Sequence, residues 1–404
     1  PEEPENMPVT RVRSGARSLR QLKSALEETE LDLEDTEAER QSLTRWCSLL
    51  ARSLDGLEDG AARAQAAAQT FDEDPLFAIE AWIPTDKLNE LESYASRQGL
   101  ALDVMDAEPS EEPPTWLENP PAVRGGQDLV LFYKTPAYSL WDPSSIVLFS
   151  FAIFFAMILS DFGYGAILGL ITLLGWKGMG ASATGKRWRV NLAWLTSTSM
   201  LYGALVGSYF GLTPPKGSLL SRIHILDLND FMTMMNLTIT IGALHLIFAN
   251  LKVAGSSGSR PQALVAVGWA SFITGGILLY GAMMIDWLPV WLGQMLLAAG
   301  LLLAVLFAGH GAATIWQRIA LGLLAIPRVS NAFGDVLSYL RLFALGLASA
   351  SLAISFNDMA TGIREAVPGI GLLFALVVLL LGHSLNFVLA IASGFIHGLR
   401  LNVI

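Results

Sequence analysis

Hydrophobic positions repeat every seven residues between residues 19 and 57, in the pattern of a coiled coil. The pattern predicts a coiled-coil or helical-hairpin arm over residues 16–70, with a solvated single helix as the alternative. The alanine-rich run 61–68 continues that helix or returns along it. The a and d positions are leucine-rich at both ends and weaker in the middle: Leu19, Leu22, Leu26, Thr29, Leu33, Thr36, Arg40, Leu43, Cys47, Leu50, Leu54 and Leu57.

A small α/β piece is expected after the arm, over residues 76–106. Its helix is predicted to begin with an N-cap at Thr85 and to end at Gly99. An acidic, proline-rich linker is predicted over 107–140, and nothing in this head suggests catalysis. The pattern predicts a strand, a helix and a second strand, over residues 76–84, 85–98 and 100–105.

Long apolar runs dominate the rest of the chain, residues 141–404, and predict a transmembrane domain. The last run would be about 50 Å long as a helix, against a hydrocarbon core of about 30 Å, so it must tilt. The first two runs are short, and counting them as one kinked helix would give seven spans. The runs cover residues 146–160, 164–176, 192–212, 231–251, 263–285, 290–308, 330–356 and 368–400.

Charge is divided unevenly along the 404 residues, which are 52% hydrophobic and carry a formal net charge of −10. Of the 36 acidic residues, 28 lie in residues 1–140, so an acidic head precedes a basic remainder. The acidity argues against a nucleic-acid partner, and the single cysteine, Cys47, fits a reducing cytosol. Because the chain opens at Pro1 without a methionine, we expect a fragment of a longer protein.

The loop charges favour eight spans with both ends in the cytoplasm. With that topology the inner loops carry eight basic residues and the outer loops three, as the positive-inside rule requires. The fold class predicted is therefore an α-helical polytopic membrane protein with about eight transmembrane helices, the last two long and tilted. It carries an N-terminal cytoplasmic α/β head with a coiled-coil arm.

Arg341 is the most informative residue, because a guanidinium does not lose its proton and is costly inside an apolar helix. It is surrounded by small residues, including Ser338 and Ser349, which would let another surface approach closely. In the last span, small and polar residues fall on one face about 100° wide, namely His383, Asn386, Ala390, Ser393, His397 and Arg400. Such a face lines water or a protein groove.

Several of these residues have simpler interpretations. His383 and Asn386 could hold neighbouring helices together, and His397 and Arg400 could extend to the membrane surface. Asp161 could cap the helix that follows it or line an aqueous vestibule. Residues 180–186 have the Gly and Lys spacing of a phosphate-binding loop. However, Arg187 occupies the position where such a loop requires Ser or Thr, and no strand precedes the segment. We therefore expect no ATP binding there, no metal site and no cofactor.

Motifs across the chain from about residue 70 onwards resemble the stator subunit of rotary V-type and A-type ATPases, called subunit a in eukaryotes and subunit I in archaea and bacteria. Gly-His-x-Leu-Asn and Asp-x-Gly-Tyr-Gly suggest the prokaryotic branch. The matching segments are residues 81–84, 112–120, 141–144, 160–165, 335–348, 383–386 and 395–401.

The resemblance implies that Arg341 is the family's essential arginine and Arg400 its partner on the last helix. It also implies two half-channels, for which we expect Asp161, His383, Asn386, His397, Ser338 and Ser349 as lining residues. The glutamate and histidine of the eukaryotic branch are Ala390 and Ser349 here, so proton access must use other groups. The implied partners are a proteolipid (c/K) ring, peripheral-stalk subunits, a central-stalk or ring adaptor subunit, and membrane lipid.

The competing interpretation is a self-contained secondary ion transporter. Such transporters show internal repeats with paired broken helices, and the break at Asp161 has no second copy in this sequence. A structural anchor would leave Arg341 unexplained. The sequence does not decide between H⁺ and Na⁺, or between pump and synthase, and the chain is not expected to hydrolyse ATP itself.

Overall fold

The computed structural model describes residues 19–68, 70–73, 76–108, 111–312 and 314–402. Contacts within the chain divide it into two units, residues 1–104 and 105–404. The predicted arm begins at residue 16, so its first three residues and residue 69 lie outside the described residues. The predicted boundary at residue 140 differs from this division, because residues 105–140 group with the apolar helices.

The arm is one continuous helix, α1 (Leu19–Ala68), of 50 residues and about 75 Å. The alanine-rich run therefore continues the helix and does not return along it. Its leucines are exposed, with Leu57 at 70%. No other element of the described chain packs along this leucine row, so the coiled coil stays a prediction that depends on a second chain or segment.

The α/β piece is smaller than predicted. Strand β1 (Phe71–Glu73) pairs antiparallel with β2 (Leu76–Ala78), so the predicted strand over 76–84 ends six residues early and has an upstream partner that the sequence did not reveal. The predicted second strand over 100–105 is wrong, because these residues form no ladder with any described strand. An isolated strand leaves its backbone groups to water and gains no pairing.

The predicted helix of this unit is confirmed with a different start. A 3₁₀ turn (Thr85–Lys87) leads into α2 (Leu88–Gln98), and no side chain caps either start, so the N-cap predicted at Thr85 is wrong. Gly99 ends the helix at φ 69°, a left-handed conformation that glycine adopts without steric cost.

The predicted linker contains a helix, α3 (Arg124–Tyr133), which belongs to the membrane unit. Its buried residues Leu129 and Val130 join the core formed by the apolar helices. Asp128 accepts from Nε of Arg187 at 2.8 Å, and the two side chains form an ion pair. The neighbouring proline-rich sequence obscured this helix, which is buried against α4, about 20 residues further along the chain, and against α6, about 60 residues further.

Each of the eight predicted apolar spans coincides with helical structure. The span predicted over 330–356 is divided, because Tyr339 interrupts the helix with 3₁₀-type bonds, and its second part continues ten residues beyond the prediction. The helices are α4 (Ser144–Leu159), α5 (Phe162–Met179), α6 (Ala183–Val206), α7 (Leu219–Ile223), α8 (Phe231–Ser256), α9 (Arg260–Ala282), α10 (Val290–Ala308), α11 (Ile315–Leu323), α12 (Arg328–Ser338), α13 (Leu340–Ala366) and α14 (Gly371–Arg400).

Six stretches of the described chain are long and apolar enough to cross a membrane: α5, α8, α9, α10, the run from α11 to α13, and α14. Helix α4 is apolar but has only 16 residues, and α6 carries three basic residues in its first two turns, Lys186, Arg187 and Arg189. Eight crossings therefore stay a prediction. The first two runs form two separate helices, because Ser160 takes a left-handed conformation (φ 49°) between them.

Helix α4 forms the centre of the membrane unit and is contacted by α3, α6, α13 and α14. Its phenylalanines at 151, 154 and 155 are at most 2% exposed. Glycines on the neighbouring helices let α4 pack closely against them, since a Cβ on Gly394 would lie 2.7 Å from the Phe155 ring. This packing sets α13 and α14 side by side against α4 and so brings together the residues predicted for the site.

Candidate ion-translocation site

Arg341 lies in the first turn of α13, two residues after the interruption at Tyr339. Its side chain is partly buried, and its Nη1 is buried without a hydrogen-bond partner. It takes part in neither of the ion pairs found among the described residues. A buried donor left unpaired costs about 1–3 kcal/mol, and more when charged. The site is therefore suited to an acceptor supplied from outside the chain.

His397 and Arg400 lie in the last turn of α14. The start of α13, which carries Arg341, lies beside the end of α14, which carries His397 and Arg400, because the Tyr339 hydroxyl donates to the Leu401 carbonyl at 3.3 Å. We call Arg341, His397 and Arg400 the arginine cluster. Nδ1 of His397 is a second buried nitrogen without a partner, whereas Arg400 is exposed. The ion pairs of the described residues leave this cluster unneutralised.

Asp161 is 2% exposed and caps α5. Its Oδ1 accepts from the Tyr164 amide at 3.0 Å, and its Oδ2 accepts from the Ser208 hydroxyl at 2.7 Å and the Gly211 amide at 3.0 Å. Three hydrogen bonds can hold a buried carboxylate without a cation. Of the two interpretations of Asp161, the cap is present in the structure, and the role in a half-channel stays a prediction.

A continuous chain of hydrogen bonds joins α5, α13 and α14, and we call it the polar network. The Tyr164 hydroxyl lies 2.8 Å from Nδ1 of His383, and Nε2 of His383 lies 3.0 Å from Oδ1 of Asn357. Because Asn357 offers an oxygen, Nε2 carries the proton and Nδ1 accepts from the tyrosine. The Asn386 amide donates to the Tyr164 oxygen at 3.0 Å and to the Ser349 carbonyl at 2.8 Å.

Close helix packing makes this network possible. A Cβ on Gly382 would lie 2.3 Å from the Phe356 ring, so only glycine lets α13 and α14 approach beside His383. A Cβ on Gly163 would lie 2.5 Å from the Phe210 ring, which packs on Tyr164. Gly163 and Gly382, which belong to the two motifs identified in the sequence, thus allow the close packing that positions Tyr164 and His383 beside them.

The predicted site residues fall into separate places. Arg341, His397 and Arg400 form the arginine cluster, while His383, Asn386 and Ser349 form the polar network with residues that the prediction omitted, Tyr164 and Asn357. Asp161 lies next to the network, since its Oδ1 accepts from the Tyr164 amide at 3.0 Å. Ser338 donates only to the Gly334 carbonyl of its own helix. Tyr164 belongs to the Asp-x-Gly-Tyr-Gly motif, and its hydroxyl group inside an apolar helix was the sequence feature that could have identified it.

No protein-family model matches the chain. Among curated proteins, V-type ATP synthase subunit I of Chlamydia pneumoniae is 30% identical over 94% of this chain and 67% of its own length. The chain belongs to the subunit I family of V-type and A-type ATP synthases. A-type ATP synthase subunit I of Methanocaldococcus jannaschii is 28% identical over 94% of this chain and 61% of its own length. The A-type ATP synthase subunit I of Pyrococcus abyssi is 29% identical over 81% of this chain and 51% of its own length.

The family predicted from the motifs is therefore confirmed. The chain spans from about half to two thirds of the length of these subunit I relatives. Its family and its six apolar stretches make it a multi-pass helical membrane protein. Membership in a family of ATP synthase subunits implies association with other subunits of such a complex.

Proposed function

We propose that this chain is the membrane stator subunit of a rotary V/A-type ATPase. It provides two ion half-channels that do not meet, one open to each side of the membrane, and it presents Arg341 to carboxylates on a rotating proteolipid ring. Translocation of protons or Na⁺ is thereby coupled to ATP hydrolysis or synthesis. The observation that carries the proposal is the unpaired guanidinium of Arg341 at one end of a row of small exposed residues on α13.

The small residues of α13 divide into an inward and an outward set. Gly346 faces α4, since a Cβ there would lie 2.4 Å from the Met157 carbonyl, and Ser349 is buried against α14. The outward set is exposed and recurs at three- and four-residue steps from Arg341, which places it on the arginine's face. Its members are Ala344, Ala348, Ser351 and Ser355. This exposed row leaves room for a ring helix to pass close to the guanidinium.

The arginine acts by electrostatics. A ring carboxylate that reaches Arg341 is favoured in its ionised form by the opposite charge, so it releases its proton there. On leaving the arginine for lipid it must be neutral, because a charge at bilayer depth is costly. A fixed guanidinium between the two half-channels therefore also blocks direct leakage of protons.

The polar network supports one half-channel. His383 and the Tyr164 hydroxyl can each accept and donate a proton, and the two amides hold them in line. Ser349, at the inner end, is eight residues from Arg341 along α13, or about 12 Å. Water must fill that distance for a proton to reach the ring.

The remaining assignments follow from the same role. We assign the chain to the plasma membrane with its head in the cytoplasm, in accord with the basic inner loops. The exposed leucine row of α1 contacts peripheral-stalk subunits, which hold the stator while the ring and its central-stalk adaptor turn.

Reconstitution tests the proposal against the rival transporter. The chain is placed in vesicles alone and, in parallel, within the complete complex, and ion flux is followed with a pH-sensitive or Na⁺-sensitive dye. A stator lacks the ring carboxylate, so flux should require the complex and the ring should co-purify with the chain in mild detergent. Ion flux by the chain alone would favour the transporter.

A further inference from the structure

A buried tyrosine connects the two helix ends that carry the arginines. Tyr339 is 0% exposed, and its hydroxyl donates to the carbonyl of Leu401 at 3.3 Å. Tyr339 is two residues before Arg341, and Leu401 directly follows Arg400. This single hydrogen bond therefore joins a side chain two residues before one arginine to the backbone beside the other.

His245 on α8 completes the arrangement. Its Nδ1 lies 2.6 Å from the Tyr339 oxygen. A phenol has one proton, so while that proton is donated to the Leu401 carbonyl, the tautomer of His245 that carries its hydrogen on Nδ1 donates to the tyrosine oxygen. The histidine thus orients the hydroxyl towards the end of α14.

The surrounding packing is shaped for this tyrosine. A Cβ on Gly242 would lie 2.5 Å from Cγ of Tyr339, so α8 has no side chain where the ring lies. The Phe154 ring packs edge-on against both the Tyr339 ring, at 5.5 Å, and the His245 ring, at 5.3 Å. The phenol can therefore adopt few other positions.

We propose that His245 and Tyr339 are positioning residues that fix the spacing of Arg341 and Arg400. This inference rests on the proposed function, since the spacing matters only if both arginines serve ion transfer. Tyr339 also lies where the helix ladder is interrupted. Without its hydroxyl bond, the first turn of α13 and the end of α14 are free to shift relative to each other.

Tyr339→Phe in the complete complex is the first test, with protons pumped per ATP hydrolysed as the readout for each assembled complex. A misplacement of about 1 Å can lower a rate roughly a hundredfold, so we expect about a tenfold or greater loss of pumping, with ATP hydrolysis retained. Tyr280→Phe, which removes a hydroxyl bond to Asn236 on α8, is the matched control and should pump normally.

A pair of substitutions at one residue separates positioning from packing. His245→Asn keeps an N–H near the position of Nδ1 and should restore most of the pumping that His245→Leu loses. Equal coupling in the two variants, or normal coupling in whatever complex assembles with Tyr339→Phe, overturns the inference. If instead Arg341→Lys also pumps normally, the proposed function itself has failed.

Discussion

Replacing Asp161 by asparagine should destabilise the membrane unit by an amount that its hydrogen bonds define. The asparagine oxygen can still accept from the Tyr164 amide, and the Ser208 hydroxyl can reverse and accept from the new NH₂ group. The Gly211 amide cannot reverse, so two donors face each other where a 3.0 Å bond existed. One buried donor left unsatisfied costs about 1–3 kcal/mol.

Thermal unfolding of the purified complex in detergent at neutral pH measures this cost. Asp230→Asn is the matched control, because Asp230 also caps a helix, α8, but does so in solvent, where asparagine caps equally well. The Thr233 hydroxyl and amide lower the pKa of Asp230, so the stability it contributes is present at neutral pH and is lost only as pH falls through that lowered pKa.

Two outcomes are informative. Destabilisation by Asp161→Asn with an unchanged pumping rate assigns Asp161 to the cap alone, whereas a partial loss of pumping adds a role in the half-channel. Unfolding temperatures that match for Asp161→Asn and Asp230→Asn would refute the reasoning, because they would mean that Gly211 depends on no acceptor at residue 161.

Two further substitutions test the outward face of α13 and the polar network. Ala348→Leu should block pumping without preventing assembly, because it fills the row that a ring helix passes, whereas the equally exposed Ala299→Leu on α10 should have no effect; normal pumping by both would place the ring elsewhere. Tyr164→Phe should slow pumping severalfold, because it leaves His383 without its donor, at a stability cost of about 0.5–1.5 kcal/mol. Tyr280→Phe loses a comparable bond outside the network, so an equal rate in the two variants would reduce Tyr164 to a packing role.

The sequence predicted those features that depend on local pattern. Apolar runs of sufficient length located the helices, and Gly99 marked a helix end because its conformation is set within a few residues. The polar row of α14 was predicted to face water or a groove, and Asn386 and Ala390 do face neighbouring helices, at 2% and 4% exposed.

The remaining features depend on residues distant in sequence. Tyr164 and His383 are separated by 219 positions, and His245 and Tyr339 by 94, so no local pattern could pair them. Helix α3 gains its burial mainly from α4 and α6, and its Phe132 ring packs on Phe395 of α14. The predicted strand over 100–105 is wrong because no described strand pairs with it. Packing decided these outcomes.

Arg341→Lys, measured in the complete complex, tests the central claim most directly. Lysine keeps the charge but replaces the planar guanidinium by a compact ammonium of different geometry. Arg364→Lys, at the other end of the same helix and exposed, is the matched control. We predict that Arg341→Lys assembles but pumps neither protons nor Na⁺ in reconstituted vesicles while the control pumps normally; wild-type pumping by Arg341→Lys would contradict the account.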